Sequence, residues 1–332
     1  MDIRLIDPSD DALMRRFHEI GWRAEKEDGR PWNAFWTLEE MTAVMREPTE
    51  DSRLDGIAVF EGDRMLAGGV VQLSLLDNLD KAWMFPAVEP ELRRRGLGSA
   101  LLEGLVAHAE AQGRRQLLGG TSIPFADRET SSVLRFAERH GFRVANTEIC
   151  RSLRLPVADE LIREIREECA PHHEGYSIET FVDDLPDHYL DSYCHLRNQL
   201  GLDAPTGELE FEEEHTTPET ARQKLERNKR AGRTTYISLA VRDGAAVAHS
   251  DLCVPPSGRQ VMQMGTLVRR DHRGHRLGAA VKAANLEALQ RDRSDVAEVH
   301  TQNAETNGYM VSINERLGFE PVGVFPEFLR EL

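Results

Sequence analysis

The sequence predicts an α+β fold built twice in tandem, each copy a mixed, mostly antiparallel sheet flanked by helices. The first observation is a repeat at half-chain scale within the 332 residues. Glu91-Leu92-Arg93-Arg94-Arg95-Gly96-Leu97-Gly98 precedes Arg139-His140-Gly141-Phe142, and Asp271-His272-Arg273-Gly274-His275-Arg276-Leu277-Gly278 precedes Arg316-Leu317-Gly318-Phe319. The second is a hairpin signal, a β-branched run, an Asp/Gly turn and a second run, ahead of each motif. The third is helical periodicity directly after each motif.

The elements follow in order. Asp10–Ile20 and Leu38–Arg46 read as helices. Ile57–Phe60, the turn Glu61–Arg64 and Met65–Leu75 read as a hairpin, with Lys81–Val88 as the next strand. Leu101, Leu102, Leu105, Val106 and Ala109 then lie on one helical face. In the second half, Asp184–Leu200 and Pro218–Ala231 read as helices. Tyr236–Val241, the turn Arg242-Asp243-Gly244 and Ala245–Val254 form the second hairpin, and Gln260–Val268 the third strand. Val281, Ala284, Ala288 and Leu289 repeat the helical face. A polar break at Pro171–Gly175 follows a helix at Asp159–Cys169, so the domains are expected at 1–156 and 176–332 with a linker at 157–175.

Composition narrows the function. A net charge of −16 argues against nucleic-acid partners, which need basic patches. No run reaches the roughly 18 apolar residues of a membrane span, and the N-terminus has no apolar leader, so a cytoplasmic protein is expected. Four scattered cysteines and the isolated pair His172-His173 offer no metal-ligand spacing, so no metal is expected. The acidic stretch Glu208–His215 reads as a solvated loop, or as a rim for a cationic ligand.

The chemistry concentrates where the third strand of each copy turns into a helix. The first amides of a helix lack intrahelical partners and point at one spot, and the helix dipole favours an anion there. Glycine at Gly96 and Gly98 lets the backbone approach that anion closely. Val88-x-Pro90 followed by Arg93-x-x-Gly96-x-Gly98 resembles the pyrophosphate-binding signature of the GNAT acetyltransferases. Taken over its whole length, the chain resembles the tandem GNAT proteins common in actinobacteria. The resemblance implies acetyl-CoA as acyl donor and direct transfer to an amine. It implies cofactor contacts from Ala87, Val88, Arg93, Arg94, Arg95, Gly96, Leu97, Gly98 and Ser99 in copy one. In copy two it implies contacts from Leu267, Val268, Arg273, Gly274, His275, Arg276, Gly278, Ala279, Asn303 and Asn307. Copy two departs from the signature, because Arg276 stands where the first glycine belongs.

Catalytic groups are less clearly marked. The family's tyrosine acid position holds Ala137 in copy one and Asn314 in copy two, with Tyr309 near the latter in sequence. His249 and Asp251, two apart on a strand, share a sheet face and could accept an amine proton. On the strand after them, Gln263 could orient a water or substrate. The leading expectation is an acetyl-CoA-dependent N-acetyltransferase acting on a small-molecule amine, as a monomer or homodimer. The alternatives are a catalytically degenerate CoA-binding protein, or an enzyme acting on a protein or peptide amine.

Overall fold

The computed structural model describes residues 1–26, 36–258 and 260–332. The chain forms two compact units. The first comprises Met1–Glu148, Gly207–Glu210 and Gly323–Leu332; the second comprises Ile149–Thr206 and Phe211–Val322. Gly207–Glu210 and the last ten residues thus belong to the first unit, and Ile149–Pro156 to the second.

The first unit runs β1 (Asp2–Leu5), α1 (Asp11–Lys26), α2 (Leu38–Arg46), β2 (Ser52–Glu61), β3 (Arg64–Ser74), β4 (Lys81–Val88), α3 (Leu97–Ala111), β5 (Gln116–Gly120), β6 (Ile123–Pro124), α4 (Ser132–Arg139) and the start of β7 (Arg143–Arg154). The hairpin turn is Gly62-Asp63, with Glu61 opposite Arg64 and Gly62 at φ 61°. Strands β1 to β4 are antiparallel neighbours, and β4 runs parallel to β5. The far side of β5 pairs with the end of β13 (Glu320–Glu331), Glu327 opposite Gly120. Leu101 and Leu105 of α3 are fully buried against Ile57, Val71, Leu73, Ala82 and Met84. Burial of each such leucine contributes about 1.5–3 kcal/mol. On the other sheet face α1 and α2 cover β2 and β3, with Met14, Phe17, Ile20, Met41 and Met45 packed on Ala58, Phe60 and Met65.

The second unit runs from the end of β7 through α5 (Asp159–Cys169), β8 (Ser177–Val182), α6 (Asp187–Asp203), α7 (Pro218–Arg230), β9 (Thr234–Arg242), β10 (Ala245–Val254), β11 (Gln260–Val268), α8 (Leu277–Asp292), β12 (Glu298–Ala304), α9 (Gly308–Leu317) and the start of β13. Its strand order is β12-β11-β10-β9-β8, with β7 beside β12. Asp243 and Gly244, both left-handed, make the tight turn between β9 and β10. A β-bulge separates Asp251 from Leu252, which pair with Gly265 and Gln263 and leave Met264 out of register. The two hairpins and most of the helices therefore lie where the sequence places them. Thr301–Ala304 forms the end of β12.

Candidate functional site

In each unit two parallel strands start side by side and then part. Lys81, Ala82 and Trp83 of β4 pair with Gln116, Leu117 and Leu118 of β5, and the pairing stops there. Gln260, Val261 and Met262 of β11 pair with Glu298, Val299 and His300 of β12, and that pairing stops too. Beyond these points Met84–Val88 and Gln263–Val268 have no partner on the neighbouring parallel strand. Backbone groups that turn toward the gap are thus available to a ligand that needs them. Ala87-Val88 and Leu267-Val268 are at the wide ends of the two gaps.

Each gap leads into a tight turn and a helix N-terminus. Arg93 donates from Nε to Val88 O at 3.0 Å, and Arg273 donates to Val268 O at 3.3 Å, so the turns fold alike. Both turns need two left-handed residues. Copy one uses Arg94 (φ 65°) and Gly96 (φ 81°); copy two uses Gly274 (φ 87°) and Arg276 (φ 54°). Glycine and arginine have exchanged places while the backbone shape is kept. Arg276 therefore keeps the shape of the turn, and its guanidinium donates to Glu168 O. A side chain at Gly98 would approach the Phe136 ring, and one at Gly278 would approach Ile313 at 3.3 Å, so both helices start against their neighbours. Leu97 and Leu277 are buried behind the turns. Arg94 is exposed in its strained conformation, so Arg94→Gly should stabilise the fold by about 1 kcal/mol, read from urea unfolding.

The cradles differ in charge. Arg95 is exposed, whereas Arg273 donates to the buried Asp203 at 2.6 Å and Arg270 pairs with the same carboxylate. In copy one the buried acid is Glu89, which accepts from Arg16 at 2.8 Å and Arg23 at 3.2 Å. The hydrogen bond from Arg16 holds Glu89 below the usual carboxylate range. Ser99 and His140 share a hydrogen bond at 3.0 Å. His275 bonds His172 O, and Ala279 packs on the core of the second unit. Asn307 caps α9 through Met310 N, so its side-chain oxygen is already engaged.

Among the catalytic candidates, His249 and Asp251 do meet, with Nδ1 and Oδ1 3.0 Å apart. Two groups not foreseen close the other carboxylate oxygen: the Tyr193 hydroxyl and the Arg197 guanidinium each donate to Oδ2 at 2.8 Å. Burial alone would raise the Asp251 carboxyl; His249 and Arg197 hold it below its ordinary value. His249 is 0% exposed, its Nε2 is buried without a partner among the described residues, and Gly265 lies by the ring. As folded, the pair is a buried network joining α6 to β10, out of an acceptor's reach. Asp251→Asn keeps the shape but not the charge, and should cost about 2 kcal/mol in urea unfolding.

Gln263 is likewise absorbed by the fold. Its amide donates to Asp251 O at 2.7 Å, Gly265 O at 3.0 Å and Ser250 Oγ at 3.1 Å, which satisfies the bulge. Tyr309 is 60% exposed and its ring lies by Gly278. Asn314 is fully buried, donating to Asn303 Oδ1 at 2.6 Å.

A second group of titratable residues was not marked in the sequence. Phe328 packs toward α3, so Glu327 and Phe325 point to the opposite face. A side chain on Gly120 would strike the Phe325 ring on that face. Asn146 Nδ2 donates to Glu327 Oε2 at 2.7 Å, which places Asn146 and Glu148 there too. Trp83 and Phe85 alternate with the buried Ala82 and Met84, and their stacked rings lie 6.2 Å apart on the same face. Burial and the Glu327 carboxylate push Glu148 up to about 7. Burial also raises Glu327, against the lowering effect of Asn146. The face beside the gap of the first unit thus carries two poorly solvated carboxyls and exposed aromatic surface. In the acidic stretch, Glu208 pairs with Arg143 and Leu209 is buried.

Among the described residues no helix is long and apolar enough to cross a membrane, and no group of three metal-binding side chains converges. The four cysteines are buried.

Residues 2–122 match the profile of the acetyltransferase (GNAT) domain. No curated protein matches the chain. A tandem GNAT protein from the clavulanic acid biosynthesis pathway, in a structure without acetyl-CoA, is similar over 99% of this chain and 98% of its own, at 25% identity and a TM-score of 0.79. A GCN5-related N-acetyltransferase from Sphaerobacter thermophilus shares the fold over 99% of this chain and 95% of its own, at 19% identity and a TM-score of 0.65.

Proposed function

We propose that this chain is a tandem GNAT protein that transfers an acetyl group from acetyl-CoA directly to a small-molecule amine, with the chemistry in the first unit. The observation that carries this reading is the parting of β4 from β5 into a left-handed turn at Gly96 and a helix N-terminus. The turn suits a diphosphate: Gly96 presents no side chain, no described residue beyond its chain neighbours lies within 4 Å of where its Cβ would be, and the first amides of α3 converge there. Arg94 and Arg95 add positive charge. Acetyl-CoA, when bound, supplies the acyl group as a thioester. Met84–Val88 would offer backbone N–H groups to its carbonyl oxygen, an interaction worth about 3–4 kcal/mol in related chemistry.

The acceptor is read from the open face. Trp83, Phe85 and Phe325 provide aromatic surface, and Glu148 with Glu327 provides negative charge, a combination that suits an ammonium. An ammonium must lose a proton before it attacks. Glu148, with its raised affinity for protons, takes that proton, and Asn146 keeps Glu327 oriented beside it. The His249–Asp251–Tyr193–Arg197 network and Gln263 serve to hold the second unit together.

Thiol release from acetyl-CoA across a panel of small amines tests the reading. Amine-dependent release, with loss in the glycine variant discussed below, is the expected result. Binding of CoA with no release under any amine would favour a CoA-binding protein without catalysis. Release only with peptide amines would move the acceptor class.

A further inference from the structure

The helix after the motif differs in the two units. In α3 the inward positions are leucines and alanines, but in α8 Lys282 and Asn285 are buried among them. Lys282 is 2% exposed, with its amine 5.2 Å from the centre of the Phe319 ring. Burial lowers the amine to about 7. A lysine in such a place is costly unless its polar end is used.

Its one side-chain partner in the described structure begins a directed chain. Lys282 Nζ donates to Asn314 Oδ1 at 2.8 Å, and Asn314 Nδ2 donates to Asn303 Oδ1 at 2.6 Å. Every link points the same way, from the buried amine outward. Asn303 is partly exposed and lies on β12 past the point where β11 and β12 part. Its own amide N–H groups are the free end of the chain. Hydrogen bonds aligned in series polarise one another, so a positive charge at one end makes the last donor stronger. The resemblance places a tyrosine acid where Asn314 stands, and Asn314 cannot release a proton.

We propose that Lys282 is a positioning residue of a second acyl-CoA site, acting through Asn314 to present the Asn303 amide as a hydrogen-bond donor to the thioester end of the ligand. The proposal rests on the reading that the gap of the second unit, like that of the first, receives CoA. The donor stabilises negative charge on the ligand's oxygen or sulfur, and no bond is made or broken by these three residues.

The test uses the full chain carrying Gly96→Glu, so that the first unit does not contribute heat. Calorimetry below pH 7, where the lysine carries its proton, compares acetyl-CoA with adenosine 3′,5′-bisphosphate, which lacks the thioester arm. Adding Lys282→Met should weaken acetyl-CoA about tenfold and leave the bisphosphate unchanged. Asn314→Asp keeps a partner for Lys282 but removes the donor to Asn303, and should give the same selective loss. Unchanged acetyl-CoA affinity in both variants would overturn the positioning role. Equal weakening of both ligands with a lower melting temperature would make Lys282 structural only. If the Gly96→Glu parent binds no acetyl-CoA while the unsubstituted chain does, a CoA site in the second unit is ruled out and the proposal goes with it.

Discussion

Replacing Gly96 with glutamate should weaken CoA binding to the first unit by at least about a hundredfold. Two effects combine. Gly96 sits at φ 81°, where a side chain costs roughly 1–2 kcal/mol. The new carboxylate also stands where the α3 amides favour an anion, and repels the diphosphate. Among the described residues nothing but its chain neighbours lies within 4 Å of a Cβ there, so the fold should survive and the loss should be read as binding. Calorimetry with CoA checks it, with circular dichroism as a control. Unchanged affinity would place the loaded site in the second unit, whose turn has the same two left-handed residues at Gly274 and Arg276.

Glu148→Gln should lower amine acetylation by about a hundredfold or more and flatten its pH dependence. The base works when deprotonated, so the wild-type rate should rise with pH through about 7. The ratio of variant to wild type, taken with one amine, cancels the amine's own titration. A ratio that stays constant across this range would remove Glu148 from proton transfer. The same group predicts a stability effect of opposite sense. Its folded pKa is raised above the ordinary 4.5, so the native state binds more protons than the unfolded chain between 4.5 and about 7. The wild type therefore loses stability as pH rises through that window. The glutamine side chain of the variant does not titrate, so the variant's melting temperature should gain on the wild type from about pH 5 to about pH 8. Activity down and stability up is the signature of a strained functional carboxyl.

Much of the fold was legible because its signals are local. The turn at Asp243-Gly244, the periodic leucines of α3 and the glycine motif each lie within one short window of sequence. Period two also put His249 and Asp251 on one face, which the structure bears out as a contact. Their burial was not legible, because it depends on Tyr193 and Arg197 arriving from a helix more than fifty positions earlier. Asn146 and Glu327 are separated by 181 positions, and no local pattern links them. Lys282 looked like any charged residue on an amphipathic helix, because nothing in its neighbours announces that α9 will cover it. The exchange of glycine and arginine between the two turns was half visible. The substitution at Arg276 could be read, but the compensating left-handed Gly274 could be recognised only from backbone angles.

The pairing of Glu327–Glu331 with β5 has a consequence for how the molecule comes into being. During synthesis the first unit can assemble its hairpins and bury α3 early, yet β5 keeps a bare hydrogen-bonding rim until the ribosome has made the segment from Gly323 onward. For that interval the nascent protein carries an adhesive border of the kind that invites pairing with a stranger. Glu327 arrives with the same segment, so the proposed acceptor face gains its second carboxyl only when the rim is sealed.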